Sequence, residues 1–139
     1  MKITESAEQT HQVAQELAKK LLNGGIICLY GDLGSGKTTF VKGMAEILNI
    51  PVNQIKSPTY TYVRHHEING KNIYHIDLYR LEEIDDLLLR ELKELWENQE
   101  NIIIIEWADR LKDHLPRIRT DVFIENLGEN SRKITINNE

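Results

Sequence analysis

The chain has 139 residues, 40 % hydrophobic and 28 % charged, a size and balance that suit one globular domain over residues 1–139 with a single core. No run approaches the ~18 consecutive apolar residues of a membrane span, and the N-terminal MKITESAEQT lacks the basic-then-apolar pattern of a signal peptide, so a soluble cytoplasmic protein with no membrane association is expected. The net charge of −5 is concentrated, with nine acids and two bases in residues 81–106, and this disfavours a domain that grips nucleic acid by itself.

Taken in chain order, Ser6 and Gln9 form a capping box, and Thr10, Val13, Ala14, Leu17, Ala18 and Leu21 recur at helical spacing, predicting a helix over 7–23 that stops at Asn23-Gly24-Gly25. The apolar run 26–30, bounded by glycines, reads as a strand buried on both faces, and its single cysteine, Cys28, as a buried structural thiol. A glycine-rich turn follows. Phe40, Val41, Met44, Ile47 and Leu48 then mark a second helix that ends near Asn49, ahead of Pro51. Residues 59–67 and 72–77 read as the arms of a hairpin turning at Asn69-Gly70. Ile84, Leu87, Leu88, Leu92, Leu95 and Trp96 predict a third helix over about 82–97, preceded by acids that suit a helix N-terminus. The unbroken run 102–105 is a second buried strand, closing on Glu106, and 121–125 with 132–136 form a terminal hairpin. The basic group Arg110, Lys112, Arg117 and Arg119 is interleaved with Asp109 and Asp113 and reads as a solvated mixed surface.

The chemistry lies in Gly31-Asp32-Leu33-Gly34-Ser35-Gly36-Lys37-Thr38, which fits G-x-x-x-x-G-K-[ST] in the context that gives it meaning, a buried strand before it and an amphipathic helix after it. Glycines let consecutive backbone N–H groups turn around phosphate oxygens, and the helix start adds free donors and partial positive charge. In this reading Asp32 to Thr39 cradle the phosphates of ATP, Lys37 reaches the β- and γ-phosphates, and the Thr38 hydroxyl ligates a bridging Mg2+. A surface loop lysine adds little to a core, so Lys37→Ala is expected to abolish ATP binding or turnover without unfolding the chain. Glu106 ends a buried strand and resembles a Walker B acid. Asp77 ends the strand after the hairpin and reads equally as a second site acid or as a turn residue. Ser57-Pro58-Thr59 is a γ-phosphate-sensing loop or a plain turn. Trp96 and Trp107 read as core or edge aromatics rather than base-stacking platforms, and the five histidines show no metal-site spacing.

The ordered segments GDLGSGKTTF, SPTYTYV, YHIDLYRL and IIIIEWADRL resemble the TsaE (YjeE) family, the bacterial ATPases of tRNA threonylcarbamoyladenosine synthesis. The likeness runs from about Tyr30 to Leu111 and extends into the tail with LPRI and Arg132; in the third helix this chain reads DDLLLRELKELW where family members often carry a glycine. The resemblance implies an α/β P-loop NTPase with a mixed, mainly parallel central sheet flanked by helices. It implies that Thr38 and Glu106 hold Mg2+, that Lys37 and the loop backbone hold ATP, and that Asp77 and Thr59 lie near the γ-phosphate. It further implies ATP hydrolysis in complex with TsaB and TsaD subunits, which transfer threonylcarbamoyl to adenosine 37 of tRNAs reading ANN codons. Contact with tRNA would then be indirect.

Three rival readings stand beside it. A GTPase lacks its N-K-x-D and D-x-x-G motifs here. A small-molecule or nucleoside kinase lacks an arginine-rich lid, for which 110–119 is a poor substitute. A nucleotide-dependent binding module with negligible turnover is favoured by the lack of an evident arginine finger, which also makes isolated hydrolysis slow.

Overall fold

The computed structural model describes residues 1–31, 35–51 and 63–138. Its elements are β1 (Lys2–Thr4), α1 (Ala7–Lys19), β2 (Gly25–Tyr30), α2 (Lys37–Leu48), β3 (Val63–Ile68), β4 (Lys71–Asp77), α3 (Asp86–Glu97), β5 (Ile102–Glu106), a 3₁₀ segment (Ala108–His114), β6 (Thr120–Asn126) and β7 (Arg132–Asn138). The strands form one mixed sheet in the order β1-β7-β6-β2-β5-β4-β3. Parallel pairing joins the four central strands, while β3 and the β7–β1 pair add antiparallel margins.

Alternation along the central strands divides two cores. Ile27, Leu29, Ile102, Ile104 and Ile73 face α1 and α2, with Phe40, Met44 and Ala14 at the centre of that layer. Cys28, Ile103, Ile105 and Ile76 face the other way, against Leu89 and Leu92 of α3 and Leu111 of the 3₁₀ segment. All five residues of β5 are buried, which is why its sequence runs apolar without alternation until Glu106.

Capping and turn chemistry fix the element ends. Ser6 Oγ accepts from the Gln9 N–H at 3.1 Å, and Gln9 reaches back to the Glu5 N–H at 2.7 Å, one residue before the cap itself. Asn49, in the left-handed region at φ 62°, ends α2 as expected, and Asn69 and Gly70 both adopt positive φ in the hairpin turn.

Several boundaries differ from the expectation. The first helix ends at Lys19, not near 23, because Lys20, Leu21 and Gly24 N–H groups bond three residues back and tighten the last turns. The third begins at Asp86, not near 82, because extended Asp85 (ψ 166°) takes the N-cap and its side chain accepts from the Leu88 N–H at 2.8 Å. The start of the hairpin arm at residues 59–62 lies outside the described residues. Among the described residues, two elements are not expected from the sequence: the three-residue β1, which pairs with β7, and the 3₁₀ segment after Trp107. Beyond its hairpin with β7, β6 also pairs parallel with β2.

Candidate functional site

The glycine-rich turn leaves β2 at its carboxyl end and re-enters the described chain at Ser35. Two glycines are demanded by geometry. A Cβ on Gly31 would lie 2.7 Å from Ser35 Oγ and 2.7 Å from the Ile124 carbonyl oxygen, and Gly36, at φ 104°, would place one 3.1 Å from Arg132 Nε. Gly36 caps α2 by its backbone alone; among the described residues no side chain bonds the first-turn N–H groups of this helix. Lys37 opens the helix and is buried, contrary to the surface lysine expected, with Nζ 3.7 Å from the Trp107 ring centroid. Thr38 follows, exposed, then a half-buried Thr39. Asp32, Leu33, Gly34 and Thr59 lie outside the described residues.

On the strands beside β2, register brings the two acids together. Leu29, Glu106 and Asp77 are successive cross-strand partners, so both carboxylates stand at the same rim and on the α1–α2 face. Glu106 is 6 % exposed, and its Oε2 accepts from His75 Nε2 at 2.5 Å. Asp77 Oδ1 accepts the Tyr79 N–H at 3.0 Å, so this acid is a local turn acceptor as well as a neighbour of Glu106.

Immediately after Glu106 the chain turns through Trp107 in the left-handed region (φ 58°, ψ 41°), an uncommon conformation for a bulky residue and one that clusters at functional positions. Its ring packs at the margin of the second core and against Tyr79, with centroids 5.0 Å apart, and also carries the Lys37 ammonium. The expectation of a core or edge aromatic covers the packing and misses the cation. Arg132 is a second neighbour of the loop that sequence reasoning missed: it flanks Gly36 while its Nη1 donates to the Gly128 and Ser131 carbonyls, both at 2.9 Å, so the β6–β7 turn buttresses the glycine turn.

Beside Trp107 a cleft of about 460 Å³ opens between Tyr30, Gly31, Ser35, Trp107 and Glu125. Ser35 Oγ is buried in its wall without a hydrogen-bond partner among the described residues. Among the described residues, a helix start without a side-chain cap, a buried hydroxyl without a partner, two positions where a Cβ would intrude, a buried cation and a buried acid together fit a phosphate chain with a divalent cation. The flanking β2 residues are chemically quiet. Burial, then Asp121, pushes the Cys28 thiol up to about 12, and burial likewise raises the Tyr30 phenol, whose OH donates to Asp121 Oδ1 at 2.9 Å. Cys28 is the inert buried thiol expected.

Residues 4–134 match the family model described as threonylcarbamoyl adenosine biosynthesis protein TsaE. Among characterised relatives, the tRNA threonylcarbamoyladenosine biosynthesis protein TsaE of Bacillus subtilis is 36 % identical over 95 % of this chain and 81 % of its own. That of Aquifex aeolicus is 39 % identical over 96 % of this chain and 92 % of its own. The crystal structure of Bacillus subtilis YdiB superposes with a TM-score of 0.74 at 30 % identity, covering 97 % of this chain and 82 % of that one.

Proposed function

The chain belongs to the TsaE family of tRNA threonylcarbamoyladenosine biosynthesis, and from that premise we propose that it is a magnesium-dependent ATP hydrolase. In this reading it supports formation of threonylcarbamoyladenosine at position 37 of tRNAs reading ANN codons, together with TsaB and TsaD subunits. The observation that carries the reading is the meeting, at one sheet rim, of a buried lysine at a helix start and a buried glutamate at a strand end.

Lys37 would exchange the Trp107 face for the β- and γ-phosphate oxygens, a stronger partner for an ammonium than an aromatic ring. The backbone of 32–39 would line the phosphate chain. The Thr38 hydroxyl and the Glu106 carboxylate would hold Mg2+, which supplies charge neutralisation on the transferring phosphoryl group when bound. Asp77, beside Glu106, and Thr59 are assigned to the γ-phosphate end, where an acid can orient the attacking water. With no evident arginine finger, turnover by the isolated chain would be slow and partner-dependent.

Partner docking is assigned to α3 and its flanks. Glu82, Glu83, Asp85, Asp86, Glu91, Glu94, Glu97 and Glu100 are all exposed and outnumber the exposed Arg90 and Lys93 between them, a net-acidic surface that suits a basic partner and leaves tRNA contact to the partner. No helix among the described residues is long and apolar enough to cross a membrane, and a cytoplasmic location accords with the role. The test is phosphate release with and without TsaB and TsaD. Stimulation by the partners, lost in Thr38→Ala and Glu106→Ala, is expected; equal stimulation of both variants would contradict the reading.

A further inference from the structure

Glu106 ends β5 with a side chain that has rotamer freedom to lose before it can serve one geometry. His75 restrains it. On β4 His75 stands opposite Ile104 while Asp77 stands opposite Glu106, so the imidazole lies one pleat repeat behind the rim on the same sheet face. His75 is 3 % exposed, and its Nε2 donates to Glu106 Oε2 at 2.5 Å.

We propose that His75 is a positioning residue: by taking Oε2 it fixes which carboxylate oxygen Glu106 presents at the rim, and so sets the affinity for the magnesium that accompanies nucleotide. The inference rests on the Mg-ATP reading above. Magnesium demands near-octahedral geometry and sheds water reluctantly, so a site with few protein ligands depends on how each is aimed. Hydrogen-bond partners standing behind a metal ligand are typically worth ten- to a hundredfold in metal affinity, roughly. A pair that only satisfied a buried acid would put no such demand on metal binding.

Two substitutions of the same chemistry and different reach separate these roles. A glutamine carries its amide about as far from the backbone as the imidazole Nε2, whereas an asparagine amide stops near the Nδ1 position. ADP affinity is measured by calorimetry with Mg2+ and with EDTA for wild type, His75→Gln and His75→Asn. His75→Gln is expected to keep the wild-type gain in affinity on adding Mg2+ within about twofold, and His75→Asn to lose roughly tenfold of it, with all three alike in EDTA. A full gain in His75→Asn, or equal loss of ADP binding by both variants in EDTA, overturns the proposal. A wild type with no metal-dependent gain at all would instead sink the Mg-ATP reading, and this inference with it. A measurement on the unaltered protein covers the case of a variant that does not fold. The His75 Nε2–H resonance is expected to shift with Mg-ADP and not with ADP in EDTA, and an unmoved resonance would refute the role.

Discussion

The parallel strands β6, β2, β5 and β4 end in two hollows of opposite character. At their amino ends a cleft of about 700 Å³ is walled by Leu17, Leu21, Ile26, Trp96 and Ile118. Two of its buried or half-buried polar side chains are partnered: Arg119 Nε donates to Asp121 Oδ1 and Nη1 to the Pro116 carbonyl, both at 2.9 Å, and Asn101 Nδ2 donates to the Leu95 carbonyl at 2.7 Å. At the carboxyl ends the cleft is smaller, about 460 Å³, and beside it lie buried Lys37, buried Glu106, the Ser35 hydroxyl with no hydrogen-bond partner among the described residues, and Trp107 with its positive φ. Of these two clefts among the described residues, the one at the amino end is the larger. Desolvated charge and backbone strain both cost stability, and they gather where helix starts and strand ends can receive an anion.

The comparison can be broken from either side. The largest effect is expected from Lys37→Ala, which should weaken Mg-ATP binding on the order of a hundredfold by calorimetry while circular dichroism stays native; equal affinity would empty the carboxyl rim of its role. Glu106→Ala should slow metal-dependent hydrolysis on the order of a hundredfold with ADP affinity in EDTA retained. A matching loss of metal-free binding would make Glu106 a structural acid. On the other rim, Arg119→Ala should cost about 1–2 kcal/mol in urea unfolding through the lost Asp121 bond, with turnover per folded molecule unchanged. A fall in turnover would mean that the amino end takes part. The smallest effect concerns pH. Burial, then His75, Arg64 and His65, lowers the His66 pKa from its ordinary 6.5, so the unfolded chain binds that proton first. Stability from this group is therefore complete above 6.5 and declines as pH falls toward the folded-state value. A His66→Phe variant with the same slope of stability against pH would reassign the effect.

Residues that act through their near neighbours in the chain are legible from the amino-acid sequence alone. Ser6 with Gln9, Asn69-Gly70 and the turn from Gly31 to Lys37 each state their geometry within a few positions, and the isoleucine run of β5 announces burial on both faces. What escapes such a reading depends on register between distant segments. His75 and Glu106 are 31 positions apart and meet only because β4 and β5 pair in parallel. Arg132 reaches Gly36 by the same kind of return, through β6 pairing beside β2. Three residues of β1 carry no period, so only β7 reveals them as a strand. The burial of Lys37 under Trp107 has one hint in the chain, an aromatic placed directly after the strand-end acid.

Each rim carries one of the two tryptophans, Trp96 in the amino-end cleft and Trp107 against Lys37, and this allows the account to be tested at both ends at once. Fluorescence would be followed while Mg-ATP is titrated into Trp96→Phe and Trp107→Phe, with binding measured in parallel by calorimetry. The expected result is a saturable change in Trp96→Phe, where Trp107 loses the ammonium from its ring, and a flat response in Trp107→Phe. A response from Trp96 with Trp107 silent, while calorimetry reports binding, would contradict the assignment of the nucleotide to the carboxyl rim.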